Sequence, residues 1–161
     1  MTPSAPGTPA TVALDRAGIA FTAHTYEHRD TATNFGEEAA AELGLDAERV
    51  FKTLVIQADD RLVVAVVAVS DRLDLRSLAT VVGAKRASLA DAAVAQRRTG
   101  YVVGGISPLG QKTPLTTVID ETAQLFDTIF VSGGRRGFDI ELAPDDLLTA
   151  TSATFAAIAR D

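Results

Sequence analysis

The chain has 161 residues, of which 47% are hydrophobic and 22% charged, a size and composition typical of one soluble globular domain. The formal net charge of −6 argues against broad non-specific binding of nucleic acid, although it leaves room for a local basic patch. The absence of cysteine excludes disulfides, thiolate metal sites and cysteine nucleophiles.

The beginning of the chain is rich in proline, serine and threonine, which predicts a disordered tail at residues 1–7 ahead of a single domain at 8–161. This segment has neither the basic nor the apolar region of a signal peptide. The longest apolar run, Leu62–Val69, is too short to span a membrane. We therefore expect a cytoplasmic protein that does not bind membranes.

Apolar periodicity and helix punctuation predict the elements of the first half of the chain. In order, they are a helix at 8–17, a strand at 21–26, a helix at 34–43, strands at 51–57 and 62–69, and a helix at 75–82. The two strands form a hairpin around Asp59–Asp60, and the second is apolar enough to be covered on both faces.

The second half of the chain alternates strands and helices in mixed order. Ser88–Asp91 resembles a capping box, which predicts a helix that starts at Ser88 and ends near Gly100. The later predictions are strands at 115–119, 127–132, 138–142 and 154–158, with a short helix from Pro144. Adjacent hairpins mixed with helices predict a single α/β domain with a mixed sheet.

Two features indicate a binding site. The loop Gly104–Lys112 contains three glycines, so its backbone amides can approach a ligand closely. Only three of the 15 basic residues are lysines, and one of them, Lys52, shares a strand face with Leu54 and Ile56. Its ammonium is expected at a pocket rim, aimed at a carbonyl, a phosphate or a ribose oxygen, and a solvated lysine is the alternative.

Metal and serine chemistry are less favoured. His24 and His28 match the H-x-x-E-H pattern of a zinc peptidase class, but that chemistry needs a helix. The segment has strand composition, and residues four apart on a strand are separated by roughly 13 Å, so no metal is expected. Ser107 lacks the second glycine of a nucleophile elbow, and a Ser107–lysine hydrolase remains an alternative.

Together these motifs resemble the YbaK/EbsC family of trans-editing aminoacyl-tRNA deacylases, related to the editing domain of bacterial prolyl-tRNA synthetases. The motifs are Phe51–Leu54, Gly83–Arg86, Gly100–Lys112 and Ser132–Leu142, and the resemblance covers the chain from about Thr8. It implies an α/β domain whose mixed, mostly antiparallel sheet curls into a partial barrel with helices around it. It also implies hydrolysis of an aminoacyl ester at the tRNA 3′ end, without cofactor or metal.

The resemblance implies roles for individual residues. Lys52 would orient the substrate, and the backbone of Gly104 and Gly105 would lie beside the ester carbonyl. The implied pocket positions are Tyr26, Phe35, Thr53, Ile106, Ser107, Pro108, Ser132 and Asp139. The candidate tRNA contacts are Lys85, Arg86, Lys112, Arg135 and Arg136, and Arg97–Arg98 could extend this basic face.

The YbaK branch is the most similar part of the family, which implies Cys-tRNA(Pro) as the substrate. In that branch the thiol of the substrate is proposed to attack the ester, and the reaction would count as a lyase reaction if the thiol cyclises. The expected partners are aminoacyl-tRNA and a prolyl-tRNA synthetase, and the expected state is a monomer or weak dimer. A deacylase for another amino acid such as alanine, or a non-catalytic tRNA- or nucleotide-binding module, remain alternatives.

Overall fold

The computed structural model describes residues 7–29 and 34–161. Its helices are α1 (Pro9–Ala17), α2 (Phe35–Leu43), α3 (Leu75–Val82), α4 (Ala92–Thr99) and α5 (Pro144–Thr151), with a 3₁₀ turn at Glu121–Leu125. Its strands are β1 (Thr22–Thr25), β2 (Phe51–Ala58), β3 (Arg61–Ala68), β4 (Arg72–Leu73), β5 (Ala87–Leu89), β6 (Thr116–Asp120), β7 (Ile129–Arg135), β8 (Phe138–Leu142), β9 (Thr154–Ala156) and β10 (Ala159–Arg160). The predicted tail lies outside the described residues except for the exposed Gly7.

The strands form a mixed set of sheets in which antiparallel pairs predominate. The largest sheet has the order β5-β2-β3-β6-β9, with antiparallel pairing up to β3 and parallel pairing from β3 to β6 and from β6 to β9. The second sheet, β1-β8-β7, is antiparallel throughout. This arrangement confirms the predicted mixed, mostly antiparallel α/β fold.

The two sheets meet at the start of β2. Val50 forms a parallel bridge with Phe130 of β7, and the Phe130 N–H donates to the Arg49 carbonyl at 3.0 Å. One residue later the chain turns to pair with β3, since the Val69 N–H donates to the Val50 carbonyl at 2.7 Å. The strands of the described chain therefore continue around one corner without closing a barrel.

The core lies on both faces of β3. Val64 and Val66 pack in one cluster with Phe138 and Ile140 of β8, whereas Val63 and Val67 belong to a second cluster. The second cluster includes Leu78 of α3 among its buried members. The apolar run is thus covered on both faces, as its sequence predicts.

The predicted start of α4 at Ser88 is wrong. Ser88 lies in β5, opposite Gln57 of β2, because the free edge of β2 accepts a third strand there. The helix begins at Ala92, and the carboxylate of Asp91 caps it by accepting the N–H groups of Ala93 and Val94 at 2.9 and 3.2 Å.

Candidate active site

A cavity of about 360 Å³ opens where the two sheets meet. Its walls come from α2, the start of β2, the segment leading into α4, the glycine loop, and one residue each from β7 and β8. The lining residues are Tyr26, Asn34, Phe35, Gly36, Ala39, Val50–Val55, Leu89, Ala90, Ala92, Ala95, Val103, Gly104, Ile106, Ser132 and Asp139.

The cavity faces the edge of β2 and not one of its faces. Six consecutive residues, 50–55, line it, so side chains from both faces of the strand contribute. The Val55 carbonyl accepts the Ala90 N–H at 3.0 Å, on the edge opposite β3. Because backbone groups alternate along a strand, those of Thr53 also point to this edge. This placement lets Lys52 and Thr53, which lie on opposite faces, reach the same space.

Lys52 is held at the rim of the cavity. Its Nζ donates to the Asp71 carbonyl at 3.0 Å, and the side chain is half-buried. Burial lowers the pKa of the ammonium, and the nearby carboxylates of Asp71 and Glu37 oppose that effect. The side chain therefore presents a cation that has lost part of its hydration and can be offered to an anionic or carbonyl oxygen.

Thr53 contributes a hydroxyl with no partner. Its Oγ1 is buried and neither accepts nor donates a hydrogen bond within the described part of the chain. Buried hydroxyls normally form such bonds, because leaving one unpaired costs about 1–3 kcal/mol. An unpaired hydroxyl in a cavity wall is therefore a candidate ligand contact.

Asp139 supplies a carboxyl group deeper in the wall. It is 4% exposed and lies opposite Ser132 in the β7–β8 ladder. Burial raises the pKa of Asp139 to about 7. Burial, followed by the charge of Asp139, also raises the pKa of Tyr26 to about 12, so Tyr26 stays a neutral hydroxyl.

Gly104 brings the glycine loop to the cavity wall. Gly104 has φ +89°, and a Cβ there would lie 2.9 Å from the Phe35 ring and 2.8 Å from Arg136 Nε. The Gly105 N–H donates to the Val102 carbonyl at 2.8 Å, so it is already engaged. The Gly104 N–H has no hydrogen-bond partner in residues 7–29 and 34–161. Of the two amides that the resemblance implies, only that of Gly104 is available in this conformation.

Three of the implied site residues do not line the cavity: Gly105, expected beside the ester carbonyl, and the implied pocket residues Ser107 and Pro108. All three are buried. Ser107 Oγ accepts the Leu109 N–H at 3.2 Å, and its carbonyl accepts Gln111 Nε2 at 3.0 Å. This geometry shapes the loop and gives no support to Ser107 as a nucleophile.

The candidate tRNA contacts are scattered. The backbone N–H groups of Lys85 and Arg86 bind the carboxylate of Asp59, at the far end of β2 from Lys52. Lys112 is exposed beside the end of α4. Arg135 is the last residue of β7, and its backbone lies against Gly105 of the glycine loop. Arg136 lies in the β7–β8 turn, and its guanidinium donates to the Val103 carbonyl next to that loop.

The two histidines have separate partners. His24 lies in β1, as predicted, and its Nε2 is 2.9 Å from Glu141 Oε1. His28 Nδ1 is 2.8 Å from Glu38 Oε1. Within the described residues no three His, Cys, Asp or Glu side chains come together as a metal site.

Two contacts to Val103 were not foreseen from the sequence. Gln96 Oε1 accepts the Val103 N–H at 2.9 Å, and the Arg136 guanidinium donates to the Val103 carbonyl. Gln96 and Arg136 are polar and do not take part in the apolar patterns that predict helices and strands. The only sequence signals for a contact between these segments are the pairs Gly104–Gly105 and Arg135–Arg136.

Comparison with known proteins identifies the family. A model of the aminoacyl-tRNA editing domain matches residues 28–150. The chain belongs to this family. It is 39% identical over 135 residues to EbsC of Enterococcus faecalis, described as a proposed Cys-tRNA(Pro)/Cys-tRNA(Cys) deacylase, covering 83% of this chain and 82% of that one. The resemblance to the YbaK/EbsC family is therefore confirmed.

Two further proteins are similar to this chain. A region of the proline–tRNA ligase of Thermoanaerobacter sp. is 27% identical over 107 residues, which is 65% of this chain and 19% of the ligase. The crystal structure of a proposed trans-editing enzyme for prolyl-tRNA synthetase superposes with a TM-score of 0.84 at 25% identity, covering 95% of this chain and 96% of the other. No helix in the described part of this chain is long and apolar enough to cross a bilayer.

Proposed function

We propose that this protein removes a wrongly attached amino acid from tRNA, with Cys-tRNA(Pro) as its substrate. The observation that carries the proposal is the meeting, in one cavity of an editing-family chain, of the Lys52 ammonium, the Gly104 backbone and buried polar groups. The volume of about 360 Å³ lies in the range of small-molecule pockets, which is enough for an aminoacyl group and its ribose.

The cavity groups match the charges of an aminoacyl ester. The ester carbonyl oxygen becomes negative during attack, and the free Gly104 N–H is the proposed donor to it. Lys52 is proposed to orient the terminal ribose or its phosphate. Asp139 is proposed to accept the substrate α-ammonium, whose positive charge would lower the pKa of the carboxyl and favour its ionised form. Because an aminoacyl ester is already activated, positioning and polarisation suffice.

The attacking group is proposed to come from outside the protein. Among the described residues that line the cavity there is no histidine to activate a serine or threonine. In hydrolysis, water adds to the carbonyl carbon, the carbon–ribose-oxygen bond breaks, and the ribose oxygen takes the proton. With cysteine, the substrate sulfur can attack its own carbonyl instead, so that a carbon–sulfur bond forms, the carbon–ribose-oxygen bond breaks and the thiol proton passes to the ribose oxygen. This releases tRNA and leaves a thiolactone, which water then opens to free cysteine.

The test is release of radiolabelled amino acid from tRNA(Pro) charged with cysteine, serine, alanine or proline. We expect release of cysteine and retention of proline. Serine has nearly the same shape as cysteine but a far weaker nucleophile, so release of cysteine without serine supports thiol attack, and equal release supports water. Binding of uncharged tRNA with no release from any member of the panel would overturn the deacylase proposal and favour a binding module.

We also propose a prolyl-tRNA synthetase as partner and the cytoplasm as location. A net charge of −6 predicts modest affinity for tRNA alone, so a synthetase that holds the tRNA would increase the local concentration of substrate. Addition of prolyl-tRNA synthetase is expected to lower the KM for Cys-tRNA(Pro). An unchanged KM would remove the synthetase from the proposal.

A further inference from the structure

We propose that Arg136 is a positioning residue, which orients the Gly104 N–H by holding the carbonyl of the same peptide group. The inference rests on the proposed function only for the identity of the oxygen that this N–H serves. The geometry that carries it is a set of contacts between the β7–β8 turn, the glycine loop and α2.

Arg136 binds one carbonyl with two donors. Its Nε and Nη2 lie 2.9 and 2.7 Å from the Val103 carbonyl oxygen. Its guanidinium carbon is also 4.7 Å from the centroid of the Phe35 ring, a cation–π distance. The guanidinium thus ties the β7–β8 turn to the glycine loop and to α2.

The peptide bond transmits this contact to Gly104. The Val103–Gly104 peptide is planar and trans, so its C=O and N–H point in opposite directions. Fixing the carbonyl on the guanidinium therefore fixes the direction of the Gly104 N–H. The Val103 N–H is bound by Gln96 Oε1 at 2.9 Å, so Val103 is held on both sides.

The charge of Arg136 also strengthens the donor. Charge-assisted bonds to a carbonyl polarise its peptide group, which makes the N–H of that group a better donor. Lysine cannot supply both the two-pronged bond and the planar stacking surface for Phe35. Gly104 is required beside it, because a Cβ there would lie 2.8 Å from Arg136 Nε.

The test compares three variants by single-turnover deacylation of Cys-tRNA(Pro). Arg136→Ala is expected to lower the rate at saturating protein by about tenfold or more, with a smaller change in the concentration needed for saturation. Arg136→Lys is expected to recover only part of the rate. Arg135→Ala removes the same charge from the neighbouring residue at the end of β7 and leaves the bonds from Arg136 to Val103 in place, so it is expected to change the saturating concentration and not the maximal rate.

Two further readouts separate positioning from general damage. Low millimolar guanidinium is expected to restore part of the Arg136→Ala rate and none of an Arg135→Ala defect. In ¹⁵N relaxation spectra, the Gly104 amide is expected to become more mobile in Arg136→Ala, while amides of β3 stay unchanged. An unchanged Gly104 amide, or a maximal rate equal to that of the wild type, would overturn the inference. If wild-type protein releases no amino acid, the proposed function fails, and the relaxation experiment still decides the role of Arg136.

Discussion

Asp139 shows at the scale of one residue how burial changes chemistry. Its pKa is about 7 in the folded protein and 3.8 when exposed, so folding favours the protonated carboxyl. The contribution of this group to stability is therefore fully present below about pH 3.8 and is lost as the pH rises through about 7. An Asp139→Asn variant would have no such dependence, because an amide does not titrate in this range.

We predict that the stability of the wild type relative to Asp139→Asn falls by about 2 kcal/mol between about pH 5 and pH 8. Urea unfolding of both proteins at the two pH values measures this difference. Parallel pH profiles of the two proteins would show that the Asp139 carboxyl is ionised in the folded state at both pH values. Burial would then not raise its pKa as predicted.

Thr53 allows binding and folding to be separated. Its unpaired buried hydroxyl contributes nothing to the fold, so Thr53→Val is expected to leave the free energy of unfolding unchanged or to raise it by up to about 1 kcal/mol. The same variant is expected to weaken saturation by Cys-tRNA(Pro) if the hydroxyl contacts substrate.

Thr117→Val is the matched control for this prediction. Thr117 is a buried strand threonine whose hydroxyl, unlike that of Thr53, has a partner: it donates to the Leu115 carbonyl at 3.0 Å. The free energy of unfolding of Thr117→Val, measured in urea, is expected to be about 1 kcal/mol lower than that of the wild type. Equal destabilisation of the two variants would mean that the Thr53 hydroxyl has a partner in solution.

At the scale of elements, the start of α1 contacts both β7 and the glycine loop. Thr8 Oγ1 accepts the Thr11 N–H at 3.3 Å as the helix cap and donates to the Gly133 carbonyl of β7 at 2.6 Å. The backbone of Pro9 lies against Gly110, at the end of the glycine loop. The helix start therefore joins β7 to the glycine loop.

We predict that Thr8→Val lowers the free energy of unfolding by about 1–2 kcal/mol, because the cap and the bond to β7 are both lost. Thr8→Ser keeps the hydroxyl and is expected to stay within about 0.5 kcal/mol of the wild type. Urea unfolding tests the pair. Similar losses in both variants would mean that the methyl group contributes as much as the hydroxyl, and an unchanged Thr8→Val variant would contradict the prediction.

Local sequence patterns predict most helices and strands. They fail for strands that form only because they pair with a strand distant in the sequence. The hairpin of β2 and β3 and helices α1, α2 and α3 follow from apolar periodicity and caps. Ser88 was misassigned because its strand exists only through the edge of β2. The strands β4 and β10 have two residues each, which is too short for an alternating pattern to be recognised. They form because they pair with each other.

The sequence predicts which residues belong to the candidate site better than it predicts which of their backbone groups are free to bind a ligand. Lys52, Thr53 and Asp139 were placed in the pocket through a family resemblance, and they line the cavity. The engagement of the Gly105 amide and the bond from Arg136 to Val103 depend on backbone angles and on a contact 33 residues apart. No local pattern encodes such a contact.

At the scale of the whole molecule, acidic and basic residues are unevenly distributed along the chain. Residues 92–119 contain Arg97, Arg98 and Lys112 and no acidic residue, although the chain carries a net charge of −6. The two arginines occupy the last turn of α4 and are exposed, and the Lys112 stem lies beside Gly100. Arg98 shares a cleft with Asp60, whereas Arg97 and Lys112 are exposed, so these three cations are the candidate phosphate contacts of this stretch.

We predict that the KM for charged tRNA rises with salt and that Arg97→Ala/Arg98→Ala reduces the slope of log KM against log salt by about 1 to 2. The matched control is Arg16→Ala/Arg76→Ala, which changes the net charge equally on α1 and α3 and is expected to keep the slope. Equal slopes in the two double variants would place the tRNA on another face.

The most direct test of the account is single-turnover release of radiolabelled cysteine from Cys-tRNA(Pro) by the wild type and by Lys52→Met. Methionine keeps the unbranched side chain and removes the ammonium that lies 3.0 Å from the Asp71 carbonyl. We predict rapid release by the wild type and a loss of about a hundredfold or more in the variant, with unfolding free energies within about 1 kcal/mol of each other. Wild-type release no faster than spontaneous hydrolysis, or equal rates in the two proteins, would contradict the account.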